Sequence, residues 1–309
     1  MADLSVRLAG ISLRNPLILA SGVWGESGQS LAGAWAAGAG GVITKSIGSL
    51  PRMGFANPTI ETYEDWGMLN AMGLPNPGID EYPAEIEGAL QSGATIIGSI
   101  FGGSAEEFAR LAERMSGTGV AALELNLSCP HAEGYGTEVG STPAQVEAIV
   151  RAVVAKSRLP VIAKITPNTA DPAGLARAAE RGGAAAISAI NTLRGLAIDV
   201  ELARPTLAHG LGGLSGPAIK PVGLACVWQI YDAVHIPIIG VGGIARAEDV
   251  LEYVMAGATA VELGTAVAFE GITIFGRLAM DLDRLLTRLG YARLEDAVGK
   301  AHGSVRHAP

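Results

Sequence analysis

Cysteine is nearly missing from this chain: Cys129 and Cys226 are the only two in 309 residues. Two cysteines make no disulfide framework, so a reducing compartment, the cytoplasm, is the simplest expectation. Aromatic residues are also scarce, at 5% against 49% hydrophobic overall, so the core has to be built from Ala, Val, Ile and Leu. Basic residues are outnumbered, with 22 Lys and Arg against 30 Asp and Glu, and the net charge of −8 argues against nucleic acid or an anionic membrane as partner. No apolar run approaches the roughly 18 residues that a membrane span needs. The N-terminus, Met1-Ala2-Asp3-Leu4-Ser5, has no basic stretch ahead of an apolar one, so no signal peptide is expected. These absences point to a soluble protein.

Glycine, by contrast, is abundant. Its 42 residues follow no collagen period and recur at the ends of apolar runs, where turns and close approach to a ligand need them. Residues 3–14 alternate loosely around Ala9-Gly10, as a small hairpin would. Apolar runs that close on polar or glycine residues then repeat: Pro16 to Gly22, Gly41 to Ser46, Thr95 to Ile100, Ala121 to Asn126, Val161 to Ile165, Ala185 to Thr192, Ile236 to Gly243, and Ala260 to Thr265. Helical patterns lie between them. Ser104 to Met115 opens on a capping signature, and Thr142-Pro143 and Asp171-Pro172 each pair a cap with a first-turn proline. Arg246 to Met255 and Ile272 to Leu289 are apolar at helical spacing. Such alternation predicts a parallel sheet, and eight βα units in this length favour a closed (β/α)8 TIM barrel with a short N-terminal β-hairpin over an open sheet. With no linker or composition break, residues 1–309 read as one domain.

In such a barrel the site lies at the C-terminal ends of the strands. Those ends carry Ser21, Lys45, Ser99, Asn126, Lys164, Asn191 and Thr192, with Gly242-Gly243 and Gly264-Thr265 closing the last two. So many polar groups at one mouth would each need a partner if buried, and together they read as a ligand cup. The paired glycines stand where many barrels hold a phosphate through backbone amides. Lys45 and Lys164 lie within apolar strands, where a bound anion or an electron-rich ring would offset their charge. The fourth strand runs into Asn126-Leu127-Ser128-Cys129-Pro130-His131, where Pro130 stops the ladder and Ala132 to Ser141 reads as a mobile loop. Taken alone, Cys129 is more often buried packing than chemistry. A phosphate subsite, a flat ring and a thiol at one mouth point to flavin redox chemistry.

Several stretches are long enough to identify a family. Thr44-Lys45-Ser46, Leu69-Asn70-Ala71-Met72-Gly73-Leu74-Pro75-Asn76-Pro77-Gly78, Asn126-Leu127-Ser128-Cys129-Pro130, Ile190-Asn191-Thr192, Gly212 to Pro221 and Val241-Gly242-Gly243-Ile244 make the chain resemble the dihydroorotate dehydrogenases of the soluble first class over nearly its whole length. The likeness is nearest to the NAD-linked subclass. The resemblance implies an FMN-binding barrel that oxidises dihydroorotate to orotate in pyrimidine biosynthesis. It implies a partner subunit carrying FAD and an iron–sulfur cluster, around a homodimeric core. Two cysteines cannot supply a four-cysteine cluster within this chain.

The same resemblance assigns residues. Cys129 would take the proton from C5 of the substrate while C6 gives hydride to the flavin. Lys45, Asn70, Ala71, Met72, Gly73, Leu74, Asn126, Asn191 and Thr192 would hold the substrate. Ser21, Lys45, Ser46, Ser99, Asn126, Lys164, Ile190, Gly216, Gly242, Gly243, Gly264 and Thr265 match flavin-binding positions, with Lys164 near the N1–O2 edge. Ser99 departs from the family pattern, in which Asn is usual, so its shorter hydroxyl would reach the flavin through water. Two other readings share much of this pattern: the flavin barrel of dihydropyrimidine dehydrogenases, and a flavin-binding subunit without catalysis. The Asn70 to Leu74 stretch favours dihydroorotate over the first, and Cys129, Lys45 and Lys164 favour an enzyme over the second.

Overall fold

The computed structural model describes residues 1–63, 67–127 and 139–304. Eight short parallel strands close into a barrel: β1 (Leu17–Leu19), β2 (Gly41–Ile43), β3 (Ile96–Ile100), β4 (Ala122–Asn126), β5 (Val161–Lys164), β6 (Ala186–Ala189), β7 (Ile238–Val241) and β8 (Ala260–Leu263). Each pairs with its neighbours in sequence, and β8 returns to β1 through Val261 opposite Leu17. All eight runs expected from the sequence are these strands. They are buried almost throughout, which is why they read as near-continuous apolar segments rather than alternating ones.

The helices follow from their caps. Ser104 Oγ accepts from the Glu107 amide ahead of Ala105–Ser116, and Thr142 exchanges hydrogen bonds with Gln145 ahead of Pro143–Val154. Asp171 accepts from the Gly174 amide at 2.7 Å ahead of Pro172–Gly182. Each side chain satisfies an amide that the first helical turn leaves without a partner. The last long helix, Ile274–Leu289, buries Ile274, Phe275, Leu278, Leu282, Leu285 and Leu286, one face at helical spacing. Among the described residues no helix is long and apolar enough to cross a membrane.

Both ends of the barrel are covered. The hairpin Val6–Leu8 with Ile11–Leu13 forms as expected, and Leu13 packs at the start of β2 against Gly41. At the other end the chain builds a four-stranded antiparallel sheet, in the order Leu193–Gly195, Gly212–Ser215, Gly67–Asn70, Ile60–Tyr63. The stretch from Asn70 to Leu74 therefore begins on a strand rather than in a loop. Asn70 lies opposite Gly213, and its Nδ2 donates to the Gly213 carbonyl at 3.2 Å. This sheet stands over the strand ends and roofs the mouth.

Candidate active site

Between the strand ends and this roof lies a cavity of about 600 Å³, well inside the size range of small-molecule sites. Its wall includes Ser21, Lys45, Ser46, Asn126, Lys164 and Ile190 from the barrel, with Asn191 and Thr192 just beyond β6. The roof contributes Asn70, Met72 and Leu74. Gly216, Gly242, Gly243, Gly264 and Thr265 line it on the side of β7 and β8. Three expected residues stand elsewhere. Ala71 is buried in a small cluster with Leu69 and Leu207, Gly73 packs against Phe55, and Ser99 sits beneath the wall, fully buried. Cys129, with the rest of 128–138, lies outside the described residues.

A run of hydrogen bonds joins the mouth to the barrel interior. Asn191 Nδ2 donates to Asn126 Oδ1 at 3.3 Å, and Asn126 Nδ2 donates to Ser46 Oγ at 3.2 Å. The Ser46 hydroxyl lies 3.1 Å from that of Ser21 and 2.9 Å from that of Ser99. Ser99 Oγ in turn donates to Glu124 Oε1 at 3.2 Å. Ser99 thus meets the cavity through two residues that line it, Ser46 and Glu124. Thr265 Oγ1 donates to Ser215 Oγ at 2.8 Å, tying the end of β8 to the roof.

The two lysines differ in company. Lys45 Nζ donates to Glu26 Oε1 at 3.0 Å and to the Gly22 carbonyl at 3.4 Å. Glu26 is 65% exposed. Lys164 Nζ donates to Glu262 Oε2 at 2.6 Å and lies 3.7 Å from Glu124 Oε2, with both carboxyl groups fully buried. Glu262 Oε1 also accepts from Ser188 Oγ at 2.8 Å. Desolvation works against the Lys164 charge, yet the two carboxyl groups outweigh it and hold the ammonium protonated well above its ordinary range. Burial, and then the negative charge of Glu262, push the Glu124 carboxyl up from the usual carboxylate range, against the pull of Lys164.

Glu124 and Glu262 were not among the residues expected here, although the sequence carries a signal for both. Each interrupts an apolar strand, in Leu123-Glu124-Leu125 and Val261-Glu262-Leu263. A charge in such a position must be paired or neutralised.

The glycine turn after β7 is held tightly. Gly243 has φ +72°, and a Cβ there would lie 2.7 Å from Lys220 Cβ and 2.9 Å from the Gly216 carbonyl. Tyr253 braces the turn from behind, its hydroxyl donating to the Gly242 carbonyl at 2.8 Å. Lys220 is anchored in turn by Asp249 at 2.6 Å and Glu252 at 2.9 Å. Only a backbone without a side chain lets this turn face the cavity. Across the mouth, a Cβ on Gly213 would lie 2.1 Å from Thr192 Oγ1, so glycine is also what lets the roof close on the strand end.

Comparison with known proteins agrees over nearly the full length. The family model for dihydroorotate dehydrogenase matches residues 3–286. A protein of Methanosarcina acetivorans is 48% identical over 300 residues, 96% of each chain. One from Thermococcus kodakarensis is 47% identical over 301 residues, 97% of this chain and 99% of its own. One from Methanocaldococcus jannaschii is 46% identical over 304 residues, 97% and 98%. All three bear the name dihydroorotate dehydrogenase B (NAD(+)), catalytic subunit. With that match spanning the barrel, the roof and the cavity wall together, the chain belongs to the dihydroorotate dehydrogenase family.

Proposed function

We propose that this chain is a catalytic subunit that oxidises dihydroorotate to orotate with bound FMN, for pyrimidine biosynthesis. The observation that carries the reading is the cavity itself: two lysines and a chain of amides and hydroxyls on one wall, facing a glycine-lined side, under a roof built from the Asn70 segment.

The residues present fit the cofactor. Gly242, Gly243 and Gly264 leave backbone amides and open space where a phosphate can sit, and a side chain at Gly243 would fill the turn. Ser21, Ser46, Asn126 and Ile190 would hold the ring, with Lys164 supplying a fixed positive charge beside it. Bound there, FMN supplies the hydride acceptor for C6 of the substrate. Asn70, Asn126, Asn191 and Thr192 suit the substrate because an amide or hydroxyl offers both donor and acceptor to an imide ring. Lys45 would meet the substrate's carboxylate, since its partner Glu26 is exposed and held at one oxygen. Cys129, three residues beyond Asn126 in sequence, is assigned the proton from C5. A thiol with an ordinary pKa near 8.5 does this at neutral pH only where its thiolate is favoured, a field that Lys45 and the polar mouth would supply.

The partner subunit carrying FAD and an iron–sulfur cluster belongs to the same reading, as do a homodimeric core and a cytoplasmic setting. The relatives' name, with its NAD(+) and its catalytic subunit, supports an electron acceptor on a second chain.

The test is direct. The purified protein should carry one FMN per chain, and anaerobic dihydroorotate should bleach it while dihydrouracil does not. A protein that takes up no flavin, or is bleached by dihydrouracil alone, would sink the reading.

A further inference from the structure

Glu124, Lys164 and Glu262 place two carboxyl groups around one ammonium at the floor of the cavity, which all three line. Were all three ionised, the group would carry a net negative charge away from water, which is strongly disfavoured. The hydrogen bonds distinguish the two carboxyl groups. Glu262 accepts at both oxygens, from Lys164 at 2.6 Å and from Ser188 at 2.8 Å. Glu124 accepts only at Oε1, from Ser99. Its Oε2 is buried, 3.7 Å from Lys164 Nζ, and makes no hydrogen bond among the described residues. A bare carboxylate oxygen in that position would leave its charge unsolvated, whereas a hydroxyl would not.

We propose that Glu124 and Glu262 hold one proton between them, carried on Glu124, so that Glu262 alone pins Lys164 and the floor of the cavity is electrically neutral. The charged groups acting on Glu124 come from the strands around it, Lys164 on β5 and Glu262 on β8, while β3 contributes the Ser99 hydroxyl. Burial and the Glu262 charge both favour the protonated form. Asp249, the other buried acid among the described residues, is instead held as a carboxylate, its burial outweighed by Lys220 and the Ala245 and Arg246 amides.

The consequence for redox chemistry rests on the reading that a flavin ring occupies the cavity. With the proton in place, Lys164 has one counter-charge. Without it there are two, and the floor opposes placing electrons on the ring above. Glu124 is then a positioning residue that acts through the charge Lys164 presents.

Infrared spectroscopy of the holoprotein tests the proton without reference to activity. Wild type should show the carbonyl stretch of a protonated carboxyl at neutral pH, whether or not flavin is bound, and should lose it as pH rises. Glu124→Gln and Glu262→Gln should each lack the band, because with one carboxyl left beside the ammonium there is no second negative charge to hold a proton against. Absence of the band from neutral wild type, or its survival in Glu124→Gln, overturns the proposal. If neither variant folds, the wild-type band and its loss on raising pH decide alone. A preparation without FMN would count against the cofactor while leaving this result standing. The second readout is the flavin redox equilibrium. Across the range where the band disappears, wild type should shift toward the oxidised form by at least about tenfold relative to Glu124→Gln, the effect one unit charge keeps even at about 12 Å in an effective dielectric of about 20. Equal pH profiles in the two proteins would overturn the charge-setting role.

Discussion

Lys45 follows an apolar barrel strand and Lys164 ends one, both are buried, and both are bonded to a glutamate, yet their surroundings make them different devices. At the mouth, Lys45 meets Glu26 at 3.0 Å, with the carboxylate 65% exposed. At the floor, Lys164 meets Glu262 at 2.6 Å, with no exposure of the carboxylate. Water can take over from the first partner but not from the second. A pair whose carboxylate stands in water is worth little, roughly 0–1 kcal/mol, and can exchange partners. A buried one cannot be broken without stranding a charge. The mouth pair is therefore suited to release a lysine to an incoming anion, and the floor pair to hold a charge still.

The largest expected effect belongs to neither lysine. If the lysines only hold charge and Cys129 moves the proton, then Cys129→Ala should fold, bind FMN and melt near wild type. Its flavin should be reduced by dihydroorotate about 10²–10⁴-fold more slowly, the usual cost of losing a general base. Cys129→Ser should stay slow at neutral pH and recover partly as pH rises. Anaerobic stopped-flow bleaching, run beside thermal melts, measures both; a wild-type rate in Cys129→Ala removes the base from this position.

Lys164→Met should do the reverse and act on stability. Breaking a buried pair from one side costs about 3–5 kcal/mol, to be read from denaturant unfolding. The loss has a definite pH sign. Glu124 is already pushed up by burial and by the Glu262 charge, and loses the opposing pull of the ammonium, so its folded-state pKa stands above its unfolded one. The variant is then least impaired below the ordinary carboxylate range and loses stability as pH rises through the raised value. A pH-independent deficit under about 1 kcal/mol would erase the distinction between floor and mouth.

Gly243→Val sharpens the comparison from the opposite wall. A β-branched residue at φ +72°, with Lys220 Cβ in its path, should bring strain of about 1–3 kcal/mol and lower FMN occupancy. Full occupancy in that variant would put the phosphate elsewhere. The smallest effect is expected for Glu26→Gln, where unfolding should shift by less than about 1 kcal/mol. A loss comparable to that of Lys164→Met would mean that the mouth pair is as fixed as the floor.

The sequence by itself determined the barrel. Buried parallel strands are apolar on both faces, and capped helices between them announce their own ends, so runs such as Val161 to Ile165 and caps such as Thr142 and Asp171 were legible one segment at a time. Most of the cavity wall was legible for the same reason, because a parallel barrel brings every strand's C-terminal end to one mouth. The roof was not. Its strands are three or four residues long, rich in glycine, and join Gly67–Asn70 to Gly212–Ser215 across the chain, leaving no local period to read. Nor was the company of the lysines. Glu26 lies 19 residues from Lys45, and Glu262 lies 98 from Lys164. Which carboxylate each lysine meets, and whether water reaches it, is fixed only when the barrel closes and brings β8 round to β1.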